Sequence, residues 1–263
     1  MMSVAHEPLT DAQLRQFGSE GFLLLRDAVP AAAVDTARAR IDAALAADRS
    51  IGRIKEYASK SYCPEILDAP EILALFDGVP RAAIDALFGA TGLARLANVQ
   101  IALRPPEYRT ETGHWGAHID GFPSGANGIP ARQIGRHTAI VGVYLSRAEQ
   151  PGMGNFCVWP GSHRRIGETM RRLDAERFLD EHGAEALHAA VIGSAGEPEN
   201  AIELAVEPGD AVLCHHLLAH AAGWNLSVQT RYAVYFRVLH RLDHERNTRP
   251  LTKVGLFYDG LAW

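Results

Sequence analysis

Cysteine is scarce. Cys63, Cys157 and Cys214 are the three cysteines in 263 residues, and none belongs to a Cys-x-x-Cys pair. That excludes a disulfide-stapled scaffold and a cysteine zinc site, and it fits reduced thiols in a cytoplasmic protein. No apolar run approaches the roughly 18 residues of a membrane span. The opening residues 1–10 are polar, with an early Glu7, unlike a secretory signal. Excess positive charge is missing too. At a formal charge of −5 the chain has no electrostatic footprint for nucleic acid and no polybasic membrane anchor. Internal repeats and low-complexity segments are also absent. These absences point to a soluble, cytoplasmic protein with neither a nucleic-acid nor a membrane partner.

What is present reads as helices first and short strands afterwards. Thr10 and Gln13 have the spacing of a capping box and open a short helix through Gln16 that Gly18 ends. Residues 21–25 form a compact apolar run, read as a buried strand. Pro30 starts a helix whose apolar face is Val34, Ala37, Ile41, Ala44 and Leu45. Two shorter helices follow at 69–76 and 80–88. From Asn98 the pattern changes to strands at 98–104, 137–146, 156–159, 201–206, 211–215 and 231–240, punctuated by Pro-Gly and Gly-Asp turns. The expected architecture is mainly β with a helical flank, a β-sandwich or jelly roll in one domain spanning 1–263. Within it, 1–95 is the helical flank and 96–245 the jelly-roll core. A charged helical segment is inserted at about 164–191, and 246–263 is a tail. The inserted segment and the Gly/Pro-rich loop 121–135 are expected to act as a lid.

The chemistry begins at His118-Ile-Asp120. On an extended chain the side chains at i and i+2 leave the same face, so His118 and Asp120 converge while Ile119 turns toward a core. A downstream run holds His215, His216 and His220, and Arg231 follows eleven residues after the last of them. Two imidazoles and one carboxylate leave one face of an octahedral metal open, the arrangement of non-haem iron(II) oxygenases. An arginine, unlike a lysine, binds a carboxylate through two parallel hydrogen bonds.

The combined pattern resembles the phytanoyl-CoA dioxygenase-like family of iron(II)/2-oxoglutarate oxygenases. The resemblance rests on Phe17-x-x-x-Gly21-Phe22, Gln100 and Arg104-Pro-Pro, and then His118-Ile-Asp120. It continues through Gly154-Asn155, Pro160-Gly161-Ser162-His163, Gly209-Asp210 ten residues before His220, Asn225-x-Ser227 and Arg231. It implies a double-stranded β-helix of the cupin-like, jelly-roll kind in which His118, Asp120 and His220 hold iron(II). By the same likeness Arg231 pairs with the distal carboxylate of 2-oxoglutarate. Gln100 and Thr138 are further co-substrate candidates, and Arg104 and Trp115 are substrate-cavity candidates. The implied reaction uses O2, releases succinate and CO2, and hydroxylates a C–H bond of a small-molecule metabolite. Asp120 also bears on the outcome, because halogenating relatives carry Gly or Ala there. Ala222 departs from relatives that place Ser or Thr two residues after the distal histidine.

Two other readings stay open at this point. One is a cupin-like metal enzyme that does not use 2-oxoglutarate, although such an enzyme has no need of Arg231. The other is a non-catalytic jelly-roll binding module, although the intact His118/Asp120/His220 set opposes it.

Overall fold

The computed structural model describes residues 9–47, 61–89, 92–107, 116–123, 129, 131, 134 and 137–241. Trp115, most of the 121–135 loop and the 246–263 tail lie outside them. Two antiparallel sheets form the centre. The larger contains β1 (Phe22–Leu25), β2 (Leu93–Arg104), β3 (Ala139–Tyr144), β6 (Ala211–His215) and β8 (Arg231–His240), in the order β1-β6-β3-β8-β2. The smaller orders β5 (Ile202–Glu203), β4 (Phe156–Val158) and β7 (His220–Ala222) as β5-β4-β7.

Period-two alternation sorts these strands into layers. In β8, Tyr232, Val234, Phe236 and Val238 face one way, into a core shared with Val34, Ile41, Ile72 and Leu87 of the helical flank. Ala233 and Tyr235 face the other way and meet Ile140, Phe156, Val158 and Leu218 between the two sheets. With almost all of its residues buried, β8 has no solvent face, which explains its richness in Val, Tyr and Phe. A third cluster covers the outer face of the small sheet, where Cys157, Trp159 and Ala221 pack against Ile166, Met170, Leu179 and Leu187.

Helices supply both outer layers. On the large sheet lie α1 (Asp11–Glu20), α2 (Ala31–Ala47), α3 (Pro70–Leu73) and α4 (Val79–Phe88); on the small sheet lie α5 (Ser162–Arg172), α6 (Ala175–His182) and α7 (Ala184–Ile192). Helical residues therefore outnumber strand residues among those described, and the mainly-β expectation holds only for the centre. The inserted segment buries its apolar faces as a packed layer on the small sheet. No helix among the described residues is long and apolar enough to cross a membrane.

Several boundaries moved for identifiable reasons. The Thr10/Gln13 capping box forms as read. The helix, however, passes through the buried Gly18 and stops at Gly21, whose φ of 82° is the left-handed C-cap conformation. The Gly18 carbonyl accepts from His163 Nε2 and Arg164 Nε, which ties the end of this helix to the segment 163–164. The β2 strand starts before Asn98 because β8 extends far enough to pair it from Leu93 onward. The three-residue β7 is too short to show a sequence pattern and exists because β4 pairs with it.

His163 is fully buried between Gly18 and the His215 ring, 5.0 Å away between centroids, and burial pulls its imidazole down to about 4. Unfolded, the same group titrates near 6.5, so below that pH the unfolded chain binds more protons. Stability is expected to be full at pH 7 and to fall as pH drops toward 4, with about 2 kcal/mol lost to His163 by pH 5. Urea midpoints measured at both pH values should show the drop. His163→Gln should flatten part of the slope, and an identical slope in the variant would remove His163 from this role.

Candidate active site

His118 and His220 lie directly opposite each other in an antiparallel bridge closed by two backbone hydrogen bonds, His118 N to His220 O at 3.0 Å and His220 N to His118 O at 2.9 Å. Their rings stand 4.5 Å apart. In each ring Nδ1 meets a backbone carbonyl, Gly116 at 3.1 Å for His118 and Leu218 at 2.9 Å for His220. With Nδ1–H donating to the carbonyl, the lone pair is left on Nε2, the tautomer a metal ligand requires. Both Nε2 atoms lie 3.6 Å from Oδ1 of Asp120. The ligand atoms of all three residues fall within 4.8 Å of one another, close enough to share one ion.

Ile119 fixes this arrangement from behind. It is buried in the cluster formed with the inserted helices, so its neighbours on either side turn inward together. Burial alone would raise the Asp120 carboxyl and lower His220. For Asp120, the Arg237 charge and the two neighbouring imidazoles outweigh burial and hold the carboxyl well below its usual range. For His220, burial and the neighbouring His118 prevail and keep its imidazole neutral. For His118, the Asp120 carboxylate outweighs burial and raises the imidazole. A carboxylate oxygen facing two imidazole nitrogens is a ready set of donors for a divalent transition metal.

Arg231 lies elsewhere in the same interior. It is 1 % exposed, its Nε donates to Gly154 O at 2.8 Å and its Nη1 to Ala102 O at 3.1 Å. Among the described residues it forms no ion pair, a costly condition for a buried cation unless an anion is to be bound. Nearby, the Tyr144 and Tyr235 hydroxyls are buried beside each other, with no further hydrogen-bond partner among the described residues. Tyr235 continues to Phe156, 5.6 Å away, and Phe156 stacks on His220 at 5.2 Å. An aromatic wall thus connects the cation to the triad.

The loops on either side are made rigid by the asparagines of the sequence motifs. Asn155 donates to Ala148 O and Leu204 O. Asn225 donates to Arg104 O and Gln229 O, and its Oδ1 accepts from Ser227. Gly154 has a φ of 76°, and a side chain there would begin 3.0 Å from Arg104 Cβ and 3.3 Å from Arg231 Cβ. Only glycine allows its carbonyl to approach the guanidinium so closely. Asp210 pairs with Arg26 at 2.7 Å and accepts from Asp27 N and Glu207 N, setting the entry to β6. The Gly-Asp motif is therefore structural.

The remaining candidates separate. Gln100 joins the triad indirectly, its Oε1 accepting from Arg237 Nη2 at 3.0 Å. Thr138 is fully buried, with its hydroxyl accepting from His240 N at 3.0 Å. Arg104 is the register partner of Arg231, about 20 Å along the strand from the row of Arg237 at 3.3 Å per residue. Trp115 lies outside the described residues. Arg237, Tyr144 and Tyr235 were not singled out from the sequence. One signal was available, since residues 233, 235 and 237 share the face of Arg231 on a strand.

Fold and site together define a non-haem, metal-dependent oxygenase class. The sequence profile of the phytanoyl-CoA dioxygenase family matches residues 17–233, and the chain belongs to that family of iron(II)- and 2-oxoglutarate-dependent oxygenases. Among solved structures, HygX from Streptomyces hygroscopicus with nickel and 2-oxoglutarate bound is 18% identical, with a TM-score of 0.54 over 87% of this chain and 86% of that one. SnoK, a non-heme alpha ketoglutarate dependent carbocyclase from nogalamycin biosynthesis, is 16% identical, with a TM-score of 0.55 over 92% of each chain. At such identities the likeness is one of fold. No curated protein sequence matches.

Asp120→Ala is expected to weaken Ni2+ binding, read by calorimetry, beyond the roughly 10–100-fold that losing a supporting partner of a metal ligand costs. Affinity retained in this variant would exclude Asp120 from the ligand set.

Proposed function

We propose that this chain hydroxylates a C–H bond of a small-molecule metabolite, with His118, Asp120 and His220 holding iron(II) and Arg231 holding the distal carboxylate of 2-oxoglutarate. In this reading the two sheets are the two halves of a double-stranded β-helix in a single domain spanning 1–263. The inner faces of both sheets meet in one apolar cluster, and the co-substrate occupies the space between Arg231 and the triad. The observation that carries the assignment is the buried Arg231, with no ion pair among the described residues, together with the two buried tyrosine hydroxyls. One guanidinium and two hydroxyl donors suit a carboxylate. The hydroxyls also compensate for Ala222, which cannot supply a donor.

Iron(II) held at the triad supplies dioxygen activation coupled to the decarboxylation of 2-oxoglutarate to succinate and CO2. The chain does the rest. Arg231 fixes one end of the co-substrate, so its keto-acid end lies toward His118, Asp120 and His220. The two Nδ1 contacts keep the imidazole tautomers correct. Ile140, Val158, Val212 and Leu218 exclude water from the interior, which strengthens every charge contact made there. Asp120 retains its carboxylate, which favours hydroxylation over halogenation. Arg104, beside Arg231, then belongs to the co-substrate end. A solved HygX structure with nickel, 2-oxoglutarate and hygromycin B bound supports a small-molecule substrate here.

Turnover of 2-oxoglutarate to succinate with iron(II) in air, without added substrate, tests the assignment directly. Oxygen uptake without 2-oxoglutarate would favour a cupin-like enzyme, and no turnover with tight metal binding would favour a binding module. Arg231→Ala is expected to weaken 2-oxoglutarate binding by about 2–5 kcal/mol; equal affinity in variant and parent would overturn the role of Arg231. The double replacement Tyr144→Phe/Tyr235→Phe should cost about 1.5 kcal/mol or more, as for hydrogen bonds to a charged group. An unchanged dissociation constant would place both hydroxyls outside the pocket.

A further inference from the structure

Asp120 presents its two oxygens to two different environments. Oδ1 faces the histidines, 3.6 Å from each Nε2. Oδ2 is gripped by Arg237, from Nε at 2.7 Å and from Nη2 at 2.6 Å. Arg237 is itself anchored, because Nη2 also donates to Gln100 Oε1 at 3.0 Å and Nη1 reaches Asn98 Oδ1 at 3.5 Å. Asn98 is the register partner of Arg237 on β2, and Gln100 follows two residues along the same face. The Asp120 side chain is 13 % exposed and that of Arg237 is 21 % exposed, so the pair is only weakly screened.

We infer that Arg237 is a positioning residue that withholds Oδ2 of Asp120 from the metal and confines this carboxylate to one donor atom. The inference rests on the triad being the metal site. A carboxylate is able to bind a cation through one oxygen or through both. With both engaged, three side chains would occupy four positions of an octahedral ion. That leaves two, whereas 2-oxoglutarate as a chelate needs two and dioxygen a third. A guanidinium on Oδ2 removes the second donor and keeps the third position free. The fork geometry matters, since two N–H groups converge on one oxygen while a third contact fixes the plane. Neutralising the outer oxygen also tempers the attraction of the site for any divalent cation.

The test compares wild type with R237M and R237K, each loaded with Ni2+ as a redox-inert probe. Melting curves of the unloaded proteins confirm folding. X-ray absorption on the loaded proteins reads whether the carboxylate binds through one oxygen or two, and calorimetry reads Ni2+ and 2-oxoglutarate affinities. R237M is expected to bind Ni2+ at least as tightly as wild type and through both oxygens. Its iron-dependent succinate formation should fall about 10–100-fold, the cost of losing a ligand's supporting partner. R237K, with one ammonium on Oδ2, should restore one-oxygen binding and part of the turnover. One-oxygen binding in a folded R237M, or Ni2+ affinity lost in it, would overturn the inference. The triad reading fails separately, if Asp120→Ala binds Ni2+ as wild type does.

Discussion

Two guanidiniums on one face of one strand impose the constraint on which the interior depends. Arg231 and Arg237 sit six residues apart on β8, on its inward side. A buried cation must find an anion or a dense set of acceptors, because the desolvation cost otherwise falls on the fold. Arg237 meets this need within the chain, through Asp120. Arg231 meets it only in part, through the carbonyls of Gly154 and Ala102. One arginine therefore organises a ligand that the chain supplies, and the other waits for an anion from outside. Tyr235 and Phe156 pack between the two sheets on the same face of β8.

That division explains the cost accepted at Tyr144 and Tyr235. A buried hydroxyl left without a partner forfeits about 1–3 kcal/mol, and replacing both by phenylalanine would suit the apolar cluster better. They are intelligible as donors prepared for a carboxylate. The same holds for Gly154, where a positive φ and the loss of any side chain permit a carbonyl to approach a guanidinium. The opposite face of β8 packs as an ordinary core.

Much of this was legible in the sequence, because it depends on short-range spacing. His118 and Asp120 are two apart, the α2 face repeats with helical period, and Thr10/Gln13 cap as their types dictate. Arg231 stood out as a cation at the head of a β run. What escaped notice depends on pairing between distant strands. That Gln100 would meet Arg237 follows from the β2/β8 register, and a register is not written in either strand alone. The buried state of Tyr144 and Tyr235 likewise needs knowledge of what surrounds them. The period-two rule applied to Arg231 would have pointed to Tyr235 and Arg237. The insert carries many charges, and its apolar face, which covers the small sheet, is not marked by a run in the sequence.

That covering layer changes how the metal site should be understood. Ile119 and Phe122 bury among Trp159, Ile166, Met170 and Leu187, and Phe122 lies 5.0 Å from the His188 ring on α7. The segment bearing His118 and Asp120 is thus fastened to the inserted helices from outside, while two backbone hydrogen bonds fasten it to His220 from inside. A side chain anchored outward between two inward ligands converts packing energy into ligand geometry, since displacing Ile119 would turn both neighbours away together. Movement of the inserted helices as a flap would expose that core and dismantle the ligand set at the same time. The helices 162–192 thus support the triad segment from outside.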